Sequence, residues 1–306
     1  MTLRLKKGCA LVCAGLLLLP LAGQAAELTV ATYNIHHGAG TDTVVDLDRI
    51  AGVLAGLDAH VIGLQENDMT NGRTGFVDQP GVIAERLSVL TGGHWMALNA
   101  PAIDYRDGQY GNAILFDTDT LALTGFEVLA LPDPAGDGAR SAGIASFDLD
   151  GATFTFAATH LTHRNIASTT TPGTTVQIES LDLIDAALAG HSPALVVGDF
   201  NAHVDTADTA TMDHWRALGW SIDSTVAEGT FGDGSSAIDF VTSRGIDGWT
   251  VLGSYVVNTE VTQLASDHYP VVTRYDVAAP VPEPASALML LSGLGLIGAL
   301  AHRKRG

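Results

Sequence analysis

The sequence contains little cysteine and little positive charge. Its 306 residues include two cysteines, and 15 basic residues stand against 34 acidic ones, for a formal net charge of −19. Both cysteines, Cys9 and Cys13, lie near the N-terminus, so the rest of the chain has neither disulfides nor thiol chemistry. Composition is otherwise that of a globular protein, with 46% apolar and 16% charged residues, which excludes disorder as the main state.

Three common catalytic motifs are also absent. The sequence has no G-x-S-x-G nucleophile elbow, no G-x-x-x-x-G-K-[ST] phosphate loop and no H-E-x-x-H zinc motif. Nucleophilic serine catalysis and nucleotide triphosphate binding by a phosphate loop therefore fit poorly. A zinc site is disfavoured as well, since cysteine ligands are missing.

The N-terminus has the pattern of a secretory signal. Basic residues near the start precede an apolar run over 10–21, and small residues follow up to Ala25. We expect a signal peptide over 1–25, cleaved near Ala25, so that the protein is exported. The alternative is a buried N-terminal helix, which seldom combines so basic a start with so unbroken an apolar run.

The C-terminus reads "VPEPASALMLLSGLGLIGALAHRKRG". Its apolar stretch over 285–301 is 17 residues long, at the lower limit for a transmembrane helix, and the basic residues after it favour an inside tail. The segment 280–306 resembles a PEP-CTERM sorting signal. That resemblance implies transient anchoring in the inner membrane, processing by an exosortase and delivery to the cell surface or beyond. A plain single-span anchor is the alternative.

Removal of both end segments would leave nine arginines, no lysine and 33 acidic residues, a net charge of −24. A surface this acidic repels polyanions and lacks the basic stripe of a tight nucleic-acid binder. It would, however, concentrate divalent cations.

Apolar, β-branched runs predict buried strands, and helical periodicity appears between some of them. The predicted strands are "ELTVATYNI", "HVIGLQE", "GNAILF", "ATFTFAATH", "ALVVGDF" and "AIDFVTS". The predicted helices cover 46–57, 82–90 and 181–188. Several strands follow one another without a helix, which favours two mixed sheets packed together with helices outside, in one domain over 27–278.

Polar side chains that can bind metal or transfer protons end most of these strands. Asn34, Glu66, His160, Asp199 and Asn201 close strands, Asp239 lies within one, and Asp267 and His268 precede an apolar run. Because strand ends at one edge of a sheet converge, we expect these side chains to meet. Carboxylate and amide oxygens favour Mg²⁺ or Mn²⁺. A histidine-rich site from His36, His37 and His163 is an alternative, disfavoured because adjacent residues of a strand point to opposite faces.

The series "TYNI", "LQE", "YGNAIL", "THL", "GDFN", "IDFV" and "SDHYPV" resembles the endonuclease/exonuclease/phosphatase superfamily in content and order. The compact bacterial branch that opens with "YNIHHG" is particularly similar. The resemblance implies a four-layer α/β sandwich and metal-dependent hydrolysis of phosphate esters. That branch usually has a glutamate before the arginine of the middle loop, whereas here Ala139 precedes Arg140.

The same resemblance implies a ligand set for the metal. Glu66 would be the main ligand of Mg²⁺ or Mn²⁺, assisted by Asn34 and Asp267. A bound divalent ion would act as a Lewis acid on the phosphate.

The resemblance also implies five catalytic roles. Asp199 would orient or deprotonate the attacking water, and Asn201 would bind a phosphate oxygen. His268 would donate to the scissile phosphate with its ring oriented by Asp239. His160 would support the developing charge from the opposite side.

The substrate stays open among DNA, RNA, phospholipid and inositol phosphate, with a nuclease or a small phosphodiesterase favoured. Arg73, Arg106, Arg140 and Arg164 fall in loops near the motifs and could bind phosphate, although each alone is typical of a solvated loop charge. We expect a monomer. The alternative is a catalytically silent surface protein that uses the fold for binding or adhesion.

Overall fold

The structure, a computed structural model, describes residues 26–133, 138–204 and 209–277. The predicted signal peptide over 1–25 and the predicted sorting segment over 280–306 lie outside these ranges. No helix within the described ranges is long and apolar enough to cross a membrane.

Two six-stranded sheets form the centre of the described chain. The first has the order β11-β12-β1-β2-β4-β3 and the second the order β5-β6-β7-β8-β10-β9, with the following bounds. The strands are β1 Ala26–Asn34, β2 Val61–Met69, β3 Trp95–Tyr105, β4 Gly108–Asp117, β5 Ala122–Leu131, β6 Arg140–Leu149, β7 Ala152–His160, β8 Ala194–Asp199, β9 Ser221–Ile222, β10 Asp239–Arg244, β11 Thr250–Val256 and β12 Val271–Val277. Both sheets are mixed, since β1–β2 and β7–β8 are parallel pairs among antiparallel ones.

The helices begin where the sequence provides caps. Asp46 accepts a hydrogen bond from the backbone N–H of Arg49, and Thr175 and Thr259 cap two later helices in the same way. The helices are α1 Leu47–Ala55, α2 Gln79–Thr91, α3 Val176–Ala187, α4 Ala210–Ala217 and α5 Glu260–Ala265. Two short 3₁₀ turns cover His36–Gly38 and Gly72–Thr74.

The main apolar core lies between the two sheets. Leu28 and Val30 of β1 pack with Phe147 of β6, Phe156 of β7 and Val197 of β8, and all five side chains are fully buried. Removal of one such aromatic side chain costs about 3–5 kcal/mol in the free energy of unfolding. The inter-sheet core therefore makes a large contribution to the stability of the packing of the two sheets.

A second apolar layer lies on the outer face of each sheet. Ile50 of α1 and Ile83 of α2 pack on Leu64 of β2, whereas Leu181 of α3 and Trp215 of α4 pack in a separate cluster with strands of the second sheet. The order helix, sheet, sheet, helix is that of a four-layer α/β sandwich. The prediction of two packed mixed sheets with helices outside is confirmed.

Candidate active site

Three side chains of the second sheet lie side by side at the same end of three adjacent strands. In the strand register, His160 of β7 is opposite Asp199 of β8, and Asp199 is opposite Asp239 of β10. The strands approach closely here, since a Cβ atom on Gly198 would lie 2.0 Å from the carbonyl oxygen of Thr159, and Gly198 has φ of +153°. A glycine is needed before Asp199 for this close approach.

The first sheet brings its polar residues to the same place. Asn34 ends β1, and Glu66 lies where the pairing of β2 with β4 shifts register at a β-bulge, with φ of +63°. Bulges re-aim side chains, and a positive φ at a glutamate stores backbone strain. β12 runs antiparallel to β1, so the residues just before it, Asp267 and His268, return to Asn34.

His268 and Asp239 form a buried pair. His268 Nδ1 lies 2.9 Å from Asp239 Oδ2, which also accepts a 2.6 Å hydrogen bond from the hydroxyl of Thr230. Phe231 packs on the imidazole, with ring centroids 4.7 Å apart. Burial alone would lower the pKa of His268, but the carboxylates of Asp239 and Asp199 raise it to about 10. The two carboxylates therefore favour the protonated, cationic form of the ring.

Asp199 faces the other edge of the same imidazole. Its Oδ2 is 3.7 Å from His268 Nε2 and accepts a 3.1 Å hydrogen bond from Asn34 Nδ2, while its Oδ1 accepts from the backbone N–H of Asn201. Burial and the nearby Asp239 raise the pKa of Asp199 to about 7, although the positive His268 opposes them. A carboxylate with such a pKa takes up and releases protons near neutral pH.

His160 is neutral and held by an amide. Its Nε2 is 3.1 Å from Asn201 Nδ2 and 3.3 Å from Asp199 Oδ2. Complete burial and the positive charges of Arg140 and His268 hold the pKa of His160 well below its usual value. The Asn201 amide nitrogen also donates to the carbonyl of Leu161, so it fixes the His160 ring and the loop after β7 together.

Asn34 presents a donor to the site. Its Oδ1 accepts from the backbone N–H of His36, and its Nδ2 faces Glu66 Oε1 at 3.2 Å as well as Asp199. Ligation of a metal through Oδ1, as the resemblance implied, would require this amide to turn and to lose the bond from His36. The hydroxyl of Ser266 donates to the backbone carbonyl of Asn34 and ties β1 to the segment before β12.

The expectation that His36 and His37 point to opposite faces is wrong, because they do not belong to a strand. They occupy a 3₁₀ turn with φ of +46° and +45°, and their rings meet edge to face with centroids 4.6 Å apart. Both approach Glu66, whereas His163 is not in this group. Burial and the neighbouring Arg73 lower the pKa of His37 to about 4.

Two groups of described residues could hold a metal ion. The first is His36, His37 and Glu66, whose ligand atoms lie within 4.8 Å of one another, and Asp267 Oδ1 is 3.8 Å from His36 Nδ1. The second comprises the buried Asp199, Asp239 and His268.

The first group fits a divalent ion better. His268 already bonds to Asp239 through Nδ1 and faces Asp199 with Nε2, whereas the carboxylates of Glu66 and Asp267 supply the oxygen ligands that Mg²⁺ and Mn²⁺ prefer. The imidazoles of His36 and His37 widen the choice to softer ions such as Zn²⁺, which the sequence alone disfavoured.

A pocket of about 260 Å³ opens beside Glu66. Its lining residues are His36, His37, Glu66, Arg73, Ile103, Tyr105, Tyr110, Gly138 and Arg140. Burial and the charge of Glu66 raise the pKa of Tyr110, and Arg140 beside it opposes that rise. Tyr110 is therefore a neutral hydroxyl at this wall.

Sequence reasoning missed several residues of the site. Thr230 and Phe231, which hold His268 and its partner, lie in a segment without periodicity. Tyr110 belongs to the quoted motif "YGNAIL" but was given no role. Ser266 belongs to the motif "SDHYPV" and directly precedes Asp267 and His268. That position could have indicated that it lies in the site.

A scan against protein-family models finds the endonuclease/exonuclease/phosphatase family over residues 31–268. It also finds a PEP-CTERM protein-sorting motif over residues 280–305. No protein with a curated description matches the chain.

Solved structures with the same fold come from bacteria and from man. An endonuclease/exonuclease/phosphatase from Beutenbergia cavernae has a TM-score of 0.65 and 23% identity over 83% of this chain and 72% of that one. A mannosyl-6-phosphatase from Bacteroides thetaiotaomicron has a TM-score of 0.60 and 20% identity over 81% and 99%. The catalytic domain of human Nocturnin, with a bound sulfate anion, has a TM-score of 0.59 and 18% identity over 81% and 94%. At these identities the likeness is one of fold.

Proposed function

Because the chain belongs to the endonuclease/exonuclease/phosphatase family, we propose that it is a phosphoric ester hydrolase that uses a divalent metal and attack by water. The bond cleaved is a phosphodiester or a phosphomonoester. A catalytically silent binding protein has no use for the buried charged groups described above, which are costly to keep away from water.

The proposal depends on the arrangement of Asp239, His268 and Asp199, in which the imidazole lies between the two carboxylates. A cationic imidazole and a carboxylate with a pKa of about 7 lie 3.7 Å apart at the edge of both sheets. One group is a hydrogen-bond donor for a negatively charged phosphate, and the other is a proton acceptor for water. Hydrolysis of a phosphate ester needs both.

Glu66 and Asp267 would hold the metal, with His36 and His37 next to them. When bound, a divalent cation would polarise the phosphate and stabilise its charge. Asn34 holds the Glu66 carboxylate through its amide nitrogen, and the strained backbone of Glu66 fixes that carboxylate toward the pocket.

Asp199 then takes a proton from the attacking water as the new P–O bond forms, and the P–O bond to the leaving alcohol breaks. Asn34 together with the backbone of Asn201 keeps the carboxylate in place. His268 donates from Nε2 to a phosphate oxygen, while Asp239 fixes the ring through Nδ1. His160, neutral on the other side, accepts a hydrogen bond from the Asn201 amide at Nε2 and so keeps that amide beside the charge that develops on the phosphate. Preorganised donors of this kind each contribute about 10²–10³ in turnover.

The PEP-CTERM motif over 280–305 implies export and processing by an exosortase, and we propose that the enzyme acts at the cell surface or outside the cell. The likeness in fold to a mannosyl-6-phosphatase adds small sugar phosphates to the substrates that deserve testing beside nucleic acids, sphingomyelin and inositol phosphates.

The test is release of p-nitrophenol from bis-p-nitrophenyl phosphate by the wild-type protein and by Asp199→Asn. The substitution keeps the shape and removes the base, so turnover should fall about 10²–10⁴-fold with an unchanged circular dichroism spectrum. Equal turnover by both proteins would contradict the role of Asp199.

A further inference from the structure

The pocket beside Glu66 contains two arginines in a protein that has few. Arg73 and Arg140 line it together with Tyr105 and Tyr110. The domain without its end segments has nine arginines against 33 acidic residues. Two of these few guanidinium groups therefore face one small cavity, beside the carboxylate of Glu66.

Among the described residues, Arg140 has no carboxylate partner. Its guanidinium hydrogen-bonds the side chain of Tyr110, but its Nε is buried without a hydrogen-bond partner in the described ranges. Its charge reaches both His160 and Tyr110, so it lies between the reacting centre and the pocket wall. A buried, unsatisfied cationic donor is costly unless an anion completes it.

Arg73 is fixed rigidly at the other wall. Its Nε and Nη2 donate to the fully buried carboxylate of Asp68 at 2.7 and 2.8 Å, and its guanidinium lies 5.0 and 5.6 Å from the ring centres of Tyr105 and Tyr110. This bidentate pair uses one edge of the guanidinium. The remaining Nη1 makes no hydrogen bond to another residue of the described ranges and is free to bind a ligand.

The size of the cavity limits what can enter. About 260 Å³ is below the usual range for drug-sized ligands, roughly 300–1,000 Å³. The volume of the pocket therefore matches a small polar group such as a sugar or a single phosphate.

We propose that Arg73 and Arg140 bind a second anionic group of the substrate, a phosphate or a carboxylate, while its first phosphate is at Glu66 and His268. The substrates would be small phosphate esters with two negative groups. The inference rests on the proposed phosphoesterase activity, and it identifies Arg73 and Arg140 as the residues that select the substrate.

Three ligands with the same number of carbons test this. Glucose 6-phosphate has one anionic group, 6-phosphogluconate adds a carboxylate, and glucose 1,6-bisphosphate adds a phosphate. Each is measured as a competitor of bis-p-nitrophenyl phosphate hydrolysis in Mg²⁺. One or both of the doubly anionic ligands should inhibit about ten- to a hundredfold more tightly than glucose 6-phosphate, as expected for a hydrogen bond to a charged group.

Two variants remove the charge without leaving a new buried charge unpaired. Arg140→Gln breaks no ion pair, and the double variant Asp68→Asn/Arg73→Gln neutralises both members of the buried pair. Each should erase most of the advantage of the doubly anionic ligands and change the affinity for glucose 6-phosphate much less. Arg140→Lys should restore part of it. Arg216→Gln, at an exposed position of α4, is the matched control for net charge and should keep the full advantage.

Calorimetric binding of the same ligands to Asp199→Asn separates this inference from the proposed function. Absence of hydrolysis by the wild type, with a preserved preference for two anionic groups in binding, would end the phosphoesterase proposal and keep the anion pocket. Equal affinities for all three ligands, or an advantage that survives in both variants, would overturn the inference even if the enzyme hydrolyses phosphate esters.

Discussion

The buried pair of Asp239 and His268 gives the sharpest prediction about mechanism. His268→Ala removes a donor that is aimed at the phosphate, so turnover should fall about 10²–10³-fold, or about 2.7–4 kcal/mol. Asp239→Asn removes the charge that keeps the ring protonated and turned, and should lose a large part of the same amount. The double variant should be little worse than His268→Ala, because groups that act as one unit are strongly non-additive.

The pH profile supplies a second readout of the same pair. Activity requires a deprotonated Asp199, so kcat/KM should rise as the pH increases through about 7, and it requires a protonated His268, so kcat/KM should fall as the pH increases through about 10. Asp239 raises both pKa values, hence Asp239→Asn should move both limbs toward lower pH.

The assay is the initial rate on bis-p-nitrophenyl phosphate over this pH range for the wild type and the three variants. Because both residues are buried, melting temperatures must be measured in parallel, and rates are compared only where each variant is folded. Clean additivity of the two defects, or limbs that stay in place in Asp239→Asn, would mean that the pair is structural.

Three further predictions concern the metal, the core and export. Glu66→Gln keeps the shape but removes a charge, so the Mg²⁺ concentration for half-maximal activity should rise, and an unchanged metal requirement would exclude Glu66 as the main ligand. Phe156→Ala empties a site between the sheets and should lower the free energy of unfolding by about 3–5 kcal/mol in urea titrations, whereas a loss below about 1 kcal/mol would show that the core rearranges. The mature protein should begin near Ala26 and lack the basic tail, which N-terminal sequencing and intact mass can show; a full-length chain in the cytoplasm would refute export.

Six buried strands, β1, β2, β4, β7, β8 and β10, were predictable because burial on both faces leaves an apolar run, whereas β6 and β12 are also largely buried but were not predicted. β1 and β8 are such strands, and each ends in a polar residue that stands out against it. β5 and β11 were not predicted, since both lie at sheet edges and are mostly exposed, which removes the apolar signal.

The candidate site was predictable as a set of residues but not as a geometry. The prediction that His36 and His37 belong to a strand was wrong, because nothing in "NIHHG" indicates two positive φ angles at non-glycine residues. The local sequence around Arg140 is typical of a solvated loop charge. Its position beside Tyr110 depends on the pairing of β6 within its sheet and on the packing of the opposite sheet. Such facts arise from tertiary packing and have no local pattern.

The central claim is that the chain hydrolyses phosphate esters with a divalent metal and with Asp199 as the base. The most direct measurement is the rate of p-nitrophenol release from bis-p-nitrophenyl phosphate in EDTA, followed by addition of Mg²⁺ or Mn²⁺, for the wild type and for Asp199→Asn. We predict no activity in EDTA, recovery of the wild type with metal, and little recovery of Asp199→Asn. Full activity in the chelator, or equal recovery of both proteins, would contradict the account.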